Sequence, residues 1–122
     1  MLDQFKNLKN LAGMFGNAKE LREKFEQLQA ELAQRTVEAD AGAGAVRVTA
    51  NGKLQIVRVE LDRPLIISLA GEGSQADQEM IEELIASAAN AALEKAQEMV
   101  RTEYARLVGG MGLPGLEGLM GG

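Results

Sequence analysis

The chain contains no cysteine, no histidine and no tryptophan, and only two prolines in 122 residues. The first two absences remove whole classes of chemistry. Without thiol or imidazole there is no zinc site of the usual ligand set, no thiol nucleophile, no redox pair and no Ser-His-Asp triad. A disulfide-stapled secreted scaffold is excluded as well. Aromatic residues are scarce at 3%, namely Phe5, Phe15, Phe25 and Tyr104. A core of Leu, Ile, Val, Met and Ala suits packed helices better than a large sandwich, and so few rings leave little for stacking on unpaired bases. No run of 18 apolar residues exists, so no membrane span is expected. The opening Met1-Leu2-Asp3-Gln4-Phe5-Lys6 lacks the basic n-region and apolar core of a signal peptide. The expectation is a soluble, cytoplasmic protein.

What is present is ordinary in amount: 46% hydrophobic and 25% charged residues, on a length of about one domain. Leu11, Met14, Ala18, Leu21, Phe25, Leu28 and Leu32 alternate spacings of three and four, a heptad seam that predicts a helix over residues 3–34. Phe5, Leu8, Ala12 and Phe15 form an offset stripe upstream. Gly13 and Gly16 fall at the changeover, where a bend, fraying or a fresh start is expected. Each costs about 1 kcal/mol against alanine in a helix.

The period then changes to two. Val37, Ala39 and Ala41 alternate with polar residues, and Val46 and Val48 do so again after the turn Gly42-Ala43-Gly44. Asn51-Gly52 predicts a hairpin with a type I′ turn, which requires positive φ at both central positions. Val57, Val59 and Leu61 make a third strand closed by Pro64. Leu54 and Ile56 lie in the opposite phase, so either a bulge intervenes or both faces are covered there. Residues 64–73 are expected to be a connection, and Ser74 with Asp77 a capping box opening a second long helix to about Val108. Gly109–Gly122 holds seven glycines and one proline and is expected to be a disordered tail. The fold class is therefore α+β: one domain over 1–108, built as long helix, three-stranded antiparallel meander and long helix, with a tail over 109–122.

Helices of about thirty residues reach about 45–50 Å, whereas seven-residue strands reach only about 23 Å. Each helix must overhang the sheet. The two helices can pair within one chain, or a second subunit can cover the excess. A homodimer is the preferred expectation, through Leu54 and Ile56 on the sheet's second face and the seam residues Leu21, Phe25, Leu28 and Leu32.

The middle of the chain resembles a known family. Gly42-Ala43-Gly44-Ala45-Val46-Arg47-Val48-Thr49-Ala50-Asn51-Gly52 is similar to the Gly-x-Gly-x-Val-x-Val-x-x-x-Gly stretch of the YbaB/EbfC nucleoid-associated proteins. Val57-Arg58-Val59-Glu60-Leu61-Asp62 resembles that family's Val-x-Ile-Asp strand. Glu82-Glu83-Leu84-Ile85 and Ala88-Ala89-Asn90-Ala91-Ala92 resemble its last helix, and Leu113-Pro114-Gly115 has a counterpart in its tail. The likeness covers residues 18–115 in order and spacing. It implies a small bacterial DNA-binding protein of the nucleoid, a tweezer-like homodimer with its sheets central and its helices as arms, and low sequence preference. A replication or repair protein is a further candidate partner. No base-reading motif transfers residue by residue.

The charge balance adds little on its own. At −5 per chain, or −10 per dimer, duplex DNA repels the protein at long range. The distribution is uneven, however. Residues 1–24 hold five cations against three acids (net +2), residues 35–63 hold five against four (net +1), and residues 72–103 hold two against eight (net −6). Lys6, Lys9, Lys19, Arg22 and Lys24 on the first helix are thus the candidate phosphate contacts, joined by Arg101 and Arg106 if the arm tips meet. The bland alternative is that they only solvate the helices, as Glu20 and Lys24 could do at i, i+4. Gly110 to Gly115 matches G-x-G-x-x-G but follows a helix, so no dinucleotide site is read there. Glu79, Glu82 and Glu83 are read as a solvated face rather than as acid-base or metal chemistry. No enzyme activity and no cofactor is expected. The rival to DNA binding is a protein-interaction scaffold that uses the seam and the acidic second helix.

Overall fold

The computed structural model describes the backbone of residues 2–110 and the side chains of residues 18–110. In order come α1 (Leu2–Gln34), β1 (Thr36–Ala41), β2 (Val46–Asn51), β3 (Ile56–Leu61), α2 (Arg63–Ala70) and α3 (Gln75–Gly110). The three strands form one antiparallel meander in the order β1-β2-β3. This is the expected α+β arrangement with one helix added.

That addition corrects the reading of 64–73 as a connection. Asp62 caps α2, its carboxylate accepting from the Leu65 amide at 3.0 Å, and Pro64 sits in the first turn. There its missing N–H costs nothing. Pro64 therefore ends the strand and starts a helix with the same ring. Ile66 turns inward against the core.

Two further expectations are corrected in the helices. α1 runs unbroken through Gly13 and Gly16; about 2 kcal/mol of glycine penalty is absorbed by a helix of 33 residues whose propagation is cooperative. α3 continues through Gly109 and Gly110, while the remainder of the expected tail lies outside the described residues. The capping box forms as read. The Asp77 carboxylate accepts from the Ser74 amide (3.1 Å) and hydroxyl (2.8 Å), and the Asp77 amide donates to the Ser74 hydroxyl at 3.2 Å.

The two hairpin turns exchange the expected roles. Positive φ at both central residues occurs at Ala43 and Gly44, closed by the Ala45 amide on the Gly42 carbonyl at 3.2 Å. At Asn51-Gly52 the loop has three residues, and the left-handed residue is Leu54 (φ 61°). The buried Asn51 organises this loop, its carboxamide oxygen accepting from the Lys53 amide (2.9 Å) and the Gln55 amide (3.2 Å).

The core lies between the sheet and α3. Ala88, Ala92 and Ala96, one turn apart, are fully buried against Ala39, Val46, Val48 and Ala50. Short side chains let the helix axis come close to the strands. A helix about 10 Å across with its side chains covers two strands spaced about 4.8 Å apart, and α3 covers β1 and β2. β3 is left out. Val59 pairs with Val48 and Leu61 with Val46, so both face the α3 side; yet Ile56, Val57, Val59 and Leu61 remain 43–52% exposed. The register shift between Thr49 and Ala50 makes Val57 an extra residue and pairs Ile56 with Ala50. The bulge thus resolves the phase conflict, and it corrects the view that Ile56 leaves the second face apolar; Leu54 falls in the hairpin loop, outside the strands. Ile56 belongs to the α3 side. The other face is polar, carrying Glu38, Asp40, Arg47, Thr49, Arg58 and Glu60.

Candidate nucleic-acid interface

The helices pair antiparallel within the chain. Arg35 at the end of α1 reaches Glu103 at 3.2 Å, and the Phe25 ring stacks on Tyr104 with centroids 5.4 Å apart and planes at 25°. Farther out, Lys24 and Leu28 line one groove with Arg106 and Leu107. Numbers fall along α1 as they rise along α3. Leu32 is buried and Leu21 half-buried on the same stripe. The seam residues Phe25, Leu28 and Leu32 therefore pack within the chain.

This packing fixes what the cations on the arm can do. With Leu21, Phe25, Leu28 and Leu32 turned inward, residues spaced by 100° per position fall on the flanks and back. Lys24 lies on one flank, Arg22 on the opposite flank and Lys19 behind, all exposed. They do not form one face. Arg22 lies 3.4 Å from Glu26 and Lys24 lies 3.9 Å from Glu20. Such solvated i, i+4 pairs contribute about 0.3–0.5 kcal/mol, too little to hold a cation away from a phosphate. Lys6 and Lys9 lie on the same unbroken helix, but their side chains are outside the described residues.

On α3, Arg101 is exposed and stands apart from the groove, whereas Arg106 is brought to Lys24 across it. The residue that sequence reasoning missed is Arg35. It shares one carboxylate oxygen of Glu103 with Arg106, each at 3.2 Å, and Glu103 is only 18% exposed. No spacing could reveal an ion pair between residues 35 and 103. Lys95, by contrast, donates to the Glu38 carbonyl at 2.9 Å and serves to tie α3 to β1. Among the described residues there is no cluster of carboxylates suited to a metal ion and no helix long and apolar enough to cross a membrane.

A solvated helical arm with cations on several sides, carried on a small half-covered sheet, defines the class of structure. Residues 6–111 match the YbaB/EbfC DNA-binding family; the chain belongs to that family. It is 36% identical to a nucleoid-associated protein of Thermoanaerobacter pseudethanolicus over 107 residues, 88% of this chain and 90% of that one. It is 44% identical to a nucleoid-associated protein of Moorella thermoacetica over 89 residues, 73% of this chain and 79% of that one. The crystal structure of an uncharacterized protein from Helicobacter pylori superposes with a TM-score of 0.63 at 20% identity, covering 78% of this chain and 92% of that one. The last likeness concerns the fold alone.

Proposed function

We propose that this protein is a nucleoid-associated, duplex-DNA-binding homodimer of the bacterial cytoplasm that binds with low sequence specificity and influences gene expression or nucleoid organisation. The observation that carries this reading is the match of residues 6–111 to a DNA-binding family. The cations of α1, exposed at Lys19, Arg22 and Lys24, would supply the mechanism. Lys6, Lys9, Lys19, Arg22 and Lys24 would neutralise phosphates and release counterions, a force blind to base sequence. The acidic first half of α3 would be held away from the duplex.

The test is a gel-shift titration across salt, with the wild type beside a variant reversing all five α1 charges. Affinity should fall steeply as salt rises, by about 0.9 logarithmic unit per phosphate contact for each tenfold of salt. The reversed variant should lose most binding while remaining folded. Salt-independent binding would remove the phosphate mechanism, and unaltered retention by the variant would move the site off α1.

A further inference from the structure

Asn51-Gly52 is the one Asn-Gly pair in the chain, and both of its reactive groups are engaged elsewhere in the fold. We infer that Asn51 is a latent deamidation site, kept intact by the docking of α1 on the hairpin tip and opened to reaction when that arm lifts. Such a site is independent of DNA binding and of self-association.

The reaction is intramolecular. The Gly52 backbone nitrogen attacks the side-chain carbonyl carbon of Asn51. A C–N bond closes a five-membered imide, and the carboxamide nitrogen leaves as ammonia, taking the Gly52 amide proton with it. Water then opens either carbonyl of the ring and leaves aspartate or its β-linked isomer at position 51. In sum, asparagine and water become an acidic residue and ammonia, with no oxidant, metal or enzyme. Glycine in second place favours the attack, because no Cβ crowds the nitrogen and the backbone turns freely. Asn7, Asn10, Asn17 and Asn90 precede Leu or Ala instead.

Three constraints hold the pair unreacted. The nucleophile is committed: the Gly52 amide donates to the Leu32 carbonyl at 3.0 Å, an oxygen that also accepts from the Arg35 amide at 3.1 Å. The electrophile is fixed as well. Its carboxamide oxygen accepts from the Lys53 and Gln55 amides at 2.9 and 3.2 Å, and its nitrogen donates to the Gln55 side-chain oxygen at 3.5 Å. The Asn51 backbone is paired opposite Thr36. Closing the ring requires both groups to rotate into alignment, and groups held out of that geometry forfeit most of their rate. Water, the second reactant, is kept away, since Asn51 is 7% and Leu32 2% exposed.

The first constraint belongs to α1 and not to the hairpin. α1 is held in turn by Phe25 on Tyr104 and by Arg35 on Glu103. A lifted arm therefore frees the Gly52 nitrogen and admits water while the strands stay paired. Opening one element costs less than unfolding the whole, so lifting of α1 sets the rate. The product makes the release permanent. Aspartate puts a second oxygen where the Asn51 nitrogen faced the Gln55 oxygen, leaving an unsatisfied acceptor at a buried place. The β-linked isomer adds a carbon to the main chain before Gly52 and carries its amide off the Leu32 carbonyl.

The test ages the full chain in mildly alkaline buffer, digests it with trypsin and weighs the peptide Val48–Lys53 for exchange of amide for acid. The folded protein should deamidate at least about tenfold more slowly than the same chain in denaturing urea. Sub-denaturing urea should raise the rate with a slope well below that of global unfolding, as a local opening requires. Phe25→Ala and Tyr104→Ala loosen α1 without touching the hairpin, and each should speed the reaction about two- to tenfold. The aged fraction, separated by its added negative charge, should exchange amide hydrogens faster over the last turns of α1, with Ala88 to Ala96 of α3 still protected. Equal rates in folded and unfolded chains would show that the fold does not guard Asn51. A urea slope matching global unfolding, or rates unmoved by both variants, would take the guard away from α1. Unaltered exchange over α1 after ageing would refute the release. Each of these results overturns the assignment.

Discussion

The Gly52 amide donates to the Leu32 carbonyl at 3.0 Å, pressing the tip of the second hairpin onto the last turn of α1. A Cβ on Gly52 would lie 2.3 Å from that same carbonyl oxygen. The obstacle is backbone, which cannot swing aside. Gly52→Ala should therefore destabilise the protein by about 1–3 kcal/mol, in the range of overpacked sites, read as a lower urea midpoint with unchanged slope. An unchanged midpoint would show that the hairpin does not dock on α1.

The stack of Phe25 on Tyr104 should couple the arm to α3. Phe25→Ala and Tyr104→Ala, measured singly and together, should show a coupling of about 0.5–1.5 kcal/mol. Strict additivity would mean that the rings do not touch in solution.

Glu103 serves two guanidinium groups with one carboxylate. Glu103→Gln should cost about 1 kcal/mol of stability in thermal melts. It should also tighten duplex binding a few-fold at low salt, because Arg35 and Arg106 are released and one negative charge is removed from the arm. Unchanged binding would place the DNA away from the α1–α3 groove.

Asp77 and Ser74 close the N-terminus of α3 reciprocally. Asp77→Ala should cost about 1 kcal/mol in chemical denaturation, with Asp77→Asn losing less because its amide oxygen still accepts.

Much of this fold is legible along the chain because its causes are local. The alternation of Val37, Ala39 and Ala41 names the buried side of β1, Ser74 and Asp77 mark the start of α3, and Asn51-Gly52 marks a hairpin. Even there the mechanism differed. Asn51 contributes its side-chain oxygen, and Gly52 contributes absence of a Cβ beside Leu32 rather than a positive φ. α2 escaped notice because a helix of eight residues is too short for periodicity and depends on Ile66 finding the core. Among the candidate contacts, the exposure of Lys19, Arg22 and Lys24 follows from the seam, but the joining of Arg35 and Arg106 through Glu103 does not.

The sequence by itself determined the order of elements, the apolar stripe of each long helix and the concentration of cations on the first. Only the tertiary structure decided that the seam of α1 is seated on α3 and that β3 is left uncovered. Periodicity says which side of an element seeks cover, since it is written residue by residue. Which cover it finds depends on width: a helix lying close on alanines shields two strands, and the third must meet water or another chain.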